Sequence, residues 1–291
     1  MRVALLGAAL AAFIAVPQPT STDALAYAAS RWASAFEEHL SGLLFRERYR
    51  QAADSGLELG VRLQVAPRTL TDFEANVFLI RVPGRDGFIV YRDVYRAGSQ
   101  DVTDHTDRLQ ELLAANTADA FAQARRLTDA SARFNTGSVT RNVNTPTMPF
   151  AYLTPENIGR LRLTDAGTDT INGVAVNVVA FDEVARPTLV RGERGADVPV
   201  SGRYWIDPLT GAVPRAVVEF QTAGGYKGRL DVRLTQDERL KTWVPQQMSE
   251  VWESRGSNAS GIARYDRFTR VSVSTDEIVK WTMAIIGRSR A

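Results

Sequence analysis

The sequence predicts an α+β protein in which a large curved antiparallel sheet is covered by an N-terminal helix and an inserted helical segment. Three observations predict it. From Leu161 onward, strand-like segments alternate with turns at Asn172-Gly173, Asp207-Pro208-Leu209-Thr210-Gly211, Gly224-Gly225 and Asn258-Ala259-Ser260-Gly261. Such clusters tolerate the positive φ angles of tight hairpins. Within the segments the side chains alternate: Leu230, Val232 and Leu234 face one way, Arg229, Asp231 and Arg233 the other. The sheet therefore buries one face and leaves the other in water. Finally, Leu25, Ala28, Ala29, Trp32, Phe36 and Leu40 recur at spacings of three and four, the stripe of a helix that lies across an apolar surface.

Taken in order, Met1 to Thr20 reads as an export signal. Arg2 is a minimal charged start, Val3 to Val16 is an apolar run too short to span a bilayer, and Pro17-Gln18-Pro19-Thr20 breaks it. Residues 1–22 are thus a signal peptide, or an N-terminal anchor if uncleaved. Asp23 to Leu40 is the clearest helix, with Ser21, Thr22 or Asp23 available as its N-cap and Gly42 as its stop. Leu43 to Gln51 alternates, with Leu43, Phe45 and Tyr49 opposite Arg46, Arg48 and Arg50. Val61 to Val65 alternates again. Thr69 to Val82 contains Val77-Phe78-Leu79-Ile80, a run that predicts burial on both faces, and Phe88 to Tyr95 returns after a Pro-Gly turn.

A helical insertion at about 105–134 follows, carrying Leu109, Leu112 and Leu113, then Phe121, Ala124 and Leu127 on one face. Met148 to Ile158 is short and irregular, with Pro149 and Pro155. The meander then occupies Leu161–Thr164, Val174–Val184, Ser201–Ile206, Val213–Thr222, Tyr226–Leu234, Trp243–Glu253 and Ile262–Val273. Because the β pattern flanks the helical stretch on both sides, residues 23–291 read as one domain with an insertion.

Composition narrows the function. Of 291 residues 44 % are hydrophobic and 23 % charged, ordinary for a globular chain, and the net charge is +2. Arginines alternate with acids, as in Arg46-Glu47-Arg48, so no basic face for nucleic acid is indicated. There is no cysteine, which removes thiol nucleophiles, cysteine metal sites and a diacylated lipoprotein anchor.

No catalytic motif stands out. His39 lies at a helix end, where a cation suits the terminal carbonyls. His105 sits in Asp101-Val102-Thr103-Asp104-His105-Thr106-Asp107, which lacks the glycine and closing glutamate of a calcium loop. No Gly-x-Ser-x-Gly elbow occurs, and the adjacent carboxylates Asp182 and Glu183 must point to opposite faces of a strand. The expectation is a non-enzymatic protein without cofactor or metal. What remains is apolar area. Trp32, Phe36, Trp205, Leu230, Val232 and Leu234 are the candidate wall of a cavity for an acyl chain, against the alternative that they form a solid core.

Residues Ile171-Asn172-Gly173-Val174, the strand to Phe181, and Arg203-Tyr204-Trp205-Ile206-Asp207-Pro208 with Gly211 resemble the hairpin series of periplasmic lipoprotein carriers of the LolA/LolB type. Trp243-Val244-Pro245 and Tyr265-Asp266-Arg267-Phe268 are similar to its late strands. The resemblance covers mainly Leu161 to Ser274. It implies a half-open β-barrel around a hydrophobic cavity with helices as a lid, a periplasmic location, and non-catalytic binding or carriage of lipid or lipoprotein acyl chains. The stretch Asp101 to Thr147 is longer and more helical than expected of the simple carriers, and no arginine or cavity residue of the family aligns onto a position here, so no functional residue is carried over. The alternative is a periplasmic sensor or scaffold that uses the same fold to bind a membrane-protein partner.

The signal reading has a direct check. N-terminal sequencing of the exported protein should find roughly the first 15 to 22 residues removed. An intact Met1 in the cytoplasmic fraction contradicts it.

Overall fold

The structure is a computed structural model that describes residues 21–57, 64–65, 69–81, 88–102, 126, 134, 144–222, 224–254 and 257–271. Residues 1–20 of the expected export signal and, apart from Arg126 and Phe134, the expected helical insertion lie outside the described residues.

Helix α1 spans Thr22–Leu40. The Ser21 side chain accepts the Ala24 N–H at 3.3 Å, and Asp23 places negative charge in the first turn, where the exposed N–H groups favour it. The apolar stripe is buried through Leu25, Ala29, Ala33, Phe36 and Leu40. Gly42, at φ 78°, takes the chain out of the helix. Its N–H donates to the Leu79 carbonyl at 3.0 Å, and its carbonyl accepts the Val271 N–H at 2.9 Å. The helix end is thus stitched into the sheet it covers.

Among the described residues twelve strands follow: β1 Leu43–Leu57, β2 Gln64–Val65, β3 Thr69–Arg81, β4 Phe88–Ala97, β5 Gln100–Asp101, β6 Leu161–Ile171, β7 Val174–Glu183, β8 Val200–Ile206, β9 Arg215–Gln221, β10 Lys227–Asp237, β11 Thr242–Ser254 and β12 Ser257–Arg270. They form one antiparallel sheet in the order β5-β4-β3-β1-β12-β11-β10-β9-β8-β7-β6, with β2 paired to β1. The sheet is open and curved, as a half-open barrel. Its two halves meet where β1 pairs with β12 from Leu43↔Arg270 to Ser55↔Ser257.

The turn chemistry holds at Asn172-Gly173, whose φ angles of 51° and 81° are those of a type I′ hairpin. It fails at Asn258-Ala259-Ser260-Gly261, which lies inside β12. Ser254 pairs with Ser257, so the reversal precedes Asn258. Gly261 has β1 on one side and β11 on the other, and two ladders outweigh the local turn preference. At Val77, Phe78 and Leu79 the expected burial on both faces is present.

Alternation divides the faces. Phe181, Tyr204, Val218, Leu230, Val232 and Met248 belong to the concave core, while the convex face carries arginine–carboxylate ladders. Two short 3-10 segments, Met148–Leu153 and Ile158–Arg160, lead into β6. The first carries the buried Phe150, Tyr152 and Leu153.

One ladder contact joins the chain's distant ends. Arg46 on β1 makes a two-pronged bond to Asp266 on β12, at 2.6 and 2.8 Å, and Arg48 adds a third at 2.8 Å. The Arg46 bond, with the charge of both arginines, holds the Asp266 carboxyl below the usual aspartate range against partial burial. A depressed carboxyl stabilises the fold above its unfolded pKa of about 3.9 and loses that contribution as pH falls through the folded value. Asp266→Asn should therefore lower the urea midpoint at neutral pH, and the difference from the parent should shrink toward pH ~3. A difference that does not change with pH contradicts this role.

Candidate functional site

The concave face is the candidate site. Leu230, Val232 and Leu234 line it and are buried, as alternation requires. Phe36 and the half-buried Trp32 lie over the same face from α1. The two rings stack at 4.8 Å, and Trp32 meets Trp243 of β11 edge-on at 6.5 Å. Phe150 of the 3-10 segment packs edge-on against Phe36 at 5.1 Å and Trp32 at 5.9 Å. The Tyr204 hydroxyl holds that segment by donating to the Pro149 carbonyl at 2.9 Å. Helix and 3-10 segment thus cover the sheet together. The helix also touches the turn after β8: a Cβ at Gly211, whose φ is 73°, would collide with the Ala28 backbone.

Trp205 is a correction. It lies on the convex face with Val176, Val178 and Val217, its indole N–H bonded to Asp169 at 2.9 Å and its ring 4.3 Å under the Arg215 guanidinium. Its neighbours Tyr204 and Ile206 take the concave positions of β8. Period-two geometry lets only one parity of a strand face inward, and Trp205 has the wrong one. An aromatic in a strand reports burial without saying on which face.

Three inward positions are glycines, and each lies beneath an aromatic ring. A Cβ at Gly202 would strike Phe181, one at Gly228 would strike Trp252, and one at Gly261 would strike Tyr49. Phe181 and Trp252 sit directly across the ladder from their glycines. Trp252 also stacks with Phe220 and Tyr226, each at 5.7 Å. Where a glycine leaves a gap, the ring of a neighbouring strand lies over the backbone and fills it. The result is a floor of broad aromatic surface.

The middle of this floor holds charge. Glu47 on β1 and Arg92 on β4 are both buried and form an ion pair: an Arg92 terminal N–H donates to one Glu47 carboxylate oxygen at 3.1 Å, and Arg92 Nε lies 2.8 Å from the other. Arg92 also donates to the Asn144 carbonyl at 3.2 Å. The Tyr265 hydroxyl faces Glu47 and lies 3.9 Å from the Met248 sulfur. Gln51 donates to the Phe134 carbonyl at 3.1 Å, and Glu250, 1 % exposed, lies beside the Tyr49 ring over Gly261. Burial pushes the Glu47 carboxyl up, and Arg92 and the Tyr265 hydroxyl pull it back only in part. Burial likewise pushes the Tyr265 phenol well above its ordinary value, with Glu47 adding to the effect. Another buried carboxylate, Glu183, ties the loops at the end of β7 together. It accepts the Leu189 N–H at 2.8 Å and pairs with Arg160 at 3.3 Å, while its neighbour Asp182 faces water as expected.

The charged group escapes a reading that looks for motifs. Its signal is a charge at apolar parity: Glu47 shares its face with Phe45 and Tyr49, and Glu250 lies between Met248 and Trp252. Among the described residues no cluster of three or more histidines and carboxylates could hold a metal ion. No described helix is long and apolar enough to cross a membrane.

No protein-family model matches the chain, and no curated protein matches it. Solved structures do. A DUF1329 family protein from Desulfovibrio piger is similar over 88 % of this chain and 95 % of its own, at 10 % identity and a TM-score of 0.37. A putative outer membrane lipoprotein-sorting protein domain from Vibrio parahaemolyticus is similar over 87 % and 95 %, at 12 % identity and a TM-score of 0.38. LprF from Mycobacterium bovis is similar over 88 % and 97 %, at 12 % identity and a TM-score of 0.24. At these identities and scores, they assign this chain no activity.

The buried pair gives a stability test. Arg92→Met strands the Glu47 carboxylate in an apolar interior and should cost about 3–5 kcal/mol. Glu47→Met/Arg92→Met should recover most of that loss, because no charge of the pair is then left alone. Urea midpoints of the parent, the two single variants and the double variant measure the coupling. Additive losses contradict a direct pair.

Proposed function

We propose that the protein is exported and binds acyl chains of lipids or lipoproteins in the concave interior of its half-open sheet, without catalysis. The observation that carries this reading is the apolar concave face with its floor of flat aromatic rings. Its described covers are α1 and the Met148–Leu153 segment. Apolar surface of this kind suits a ligand whose binding comes from area removed from water, at roughly 25 cal/mol per Å².

The cover is built to be separable. α1 meets the sheet through side chains on one stripe, and the backbone joins the sheet just past its C-terminal end, through Gly42. Lifting the helix about that joint exposes the Trp32–Phe36–Phe150 cluster together with the sheet face beneath it. Its aromatic surfaces then meet a ligand in place of one another. Leu230, Val232 and Leu234 form the adjoining wall. The partner implied is a lipid or lipoprotein acyl chain.

A fluorescent fatty-acid probe should bind the mature protein saturably, at about one site per chain. Val232→Trp should weaken that binding while folding survives, at an overpacking cost of roughly 1–3 kcal/mol. No saturable binding by the folded parent overturns the acyl reading and leaves the scaffold, with its membrane-protein partner, as the better one.

A further inference from the structure

The convex face opposite the interior carries an ordered row of side chains. Gln247, Arg264, Arg48, Glu74 and Arg96 lie on five neighbouring strands, each paired in register with the next. The adjacent row holds Ser249, Ile262, Arg50 and Asp72. Between the rows runs a groove of about 350 Å³, lined by Arg48, Arg50, Arg96 and Arg264 together with Asp72 and Glu74.

The carboxylates here are already engaged. Asp266 takes Arg46 at 2.6 Å and Arg48 at 2.8 Å, and Asp72 takes Arg50 at 3.0 Å. Glu74 lies 3.7 Å from both Arg46 and Arg96 and accepts the Tyr95 hydroxyl at 2.7 Å. Among the described residues no carboxylate lies within ion-pair distance of Arg264. Its cross-strand partner is Arg48, another guanidinium. Like charges directly opposite each other destabilise a sheet, and packing does not require this one, since Arg264 is exposed.

We infer that the groove binds a phosphate-bearing anion between Arg48 and Arg264, with Arg50 and Arg96 at its rim. Guanidinium groups on adjacent strands match the several acceptor oxygens of a phosphate: Arg264 offers a planar two-pronged bond, and Arg48 adds the N–H groups that its bond to Asp266 leaves over. The bound anion turns the like-charge pair from a repulsion into a clamp. Ile262, 39 % exposed beside it, offers apolar contact to the carbon next to a phosphate ester. The phosphate belongs to a lipid headgroup or to a free phosphate compound. The site is on the face away from the interior and stands independently of the acyl reading.

Thermal unfolding at constant ionic strength, with inorganic phosphate replacing chloride, tests the site. The parent's Tm should rise with phosphate and saturate. Arg264→Gln should unfold at the parent's temperature or above in chloride, because the repulsion is gone. It should lose the phosphate response, with affinity roughly ten-fold weaker or more. Arg203→Gln, an exposed arginine on β8 outside the groove, should keep the response. Co-sedimentation separates the sources. Binding to phosphatidylglycerol vesicles that Arg264→Gln abolishes assigns a lipid headgroup, and a phosphate response without vesicle binding assigns a free phosphate compound. No phosphate response and no vesicle binding in the parent, or a response unchanged in Arg264→Gln, overturns the site.

Discussion

The pairing of β1 with β12 is the contact on which the rest depends. It joins residues such as Arg46 and Asp266, 220 positions apart, and makes one sheet of strands β1 to β5 and β6 to β12. Without it β1 and β3 would form a meander apart from β6 to β12, and the concave face would be cut in two. The pairing is not a plain ladder. Arg267, at φ 59°, is an extra residue in β12, and the register shifts between Leu44 and Arg46. Such a bulge bends a strand and re-aims its side chains. Here it keeps both Tyr265 and Phe268 inward, where each packs against Phe45. Contacts of such long sequence separation are expensive in chain entropy and tend to slow folding.

The same junction explains why charge sits in an apolar interior. Glu47 is one residue from Arg46, and alternation sends one to the core and the other to the convex ladder. Glu47 can be inside only because Arg92 reaches it from β4, two strands away in the sheet order. Replacing such a pair by apolar groups often costs little, whereas breaking it costs much. Its consequence is therefore in specificity: a register slip of one residue would place Arg46 inside and Glu47 in water, with Arg92 left alone.

Interior and exterior follow one rule with different side chains. Inward, glycines lie under neighbouring aromatic rings, so that surface area replaces shape. Outward, arginines and carboxylates pair across strands, as Arg215 does with Asp231 at 2.6 Å and Arg229 with Glu219 at 3.0 Å. Arg264 departs from that outward rule, and Glu47 and Arg92 depart from the inward one. Both departures occur on or beside the β1–β12 seam.

The sequence by itself determined the elements. α1, the hairpin series from β6 to β11 and the inward parity of Leu230, Val232 and Leu234 were legible because they rest on local periodicity and turn residues. Tertiary structure alone decided the rest. Trp205 faces outward because the pairing of β8 with β7 and β9 sets its parity, and an aromatic carries no mark of which face it will take. Asn258 to Gly261 became strand because two ladders outweigh a turn signal. Glu47, Glu250 and Arg92 converge because strands distant in the chain are neighbours in the sheet. Residue type and spacing report what a segment can form; which segments pair, and hence which charges meet, depends on burying one continuous face, a property of the whole chain.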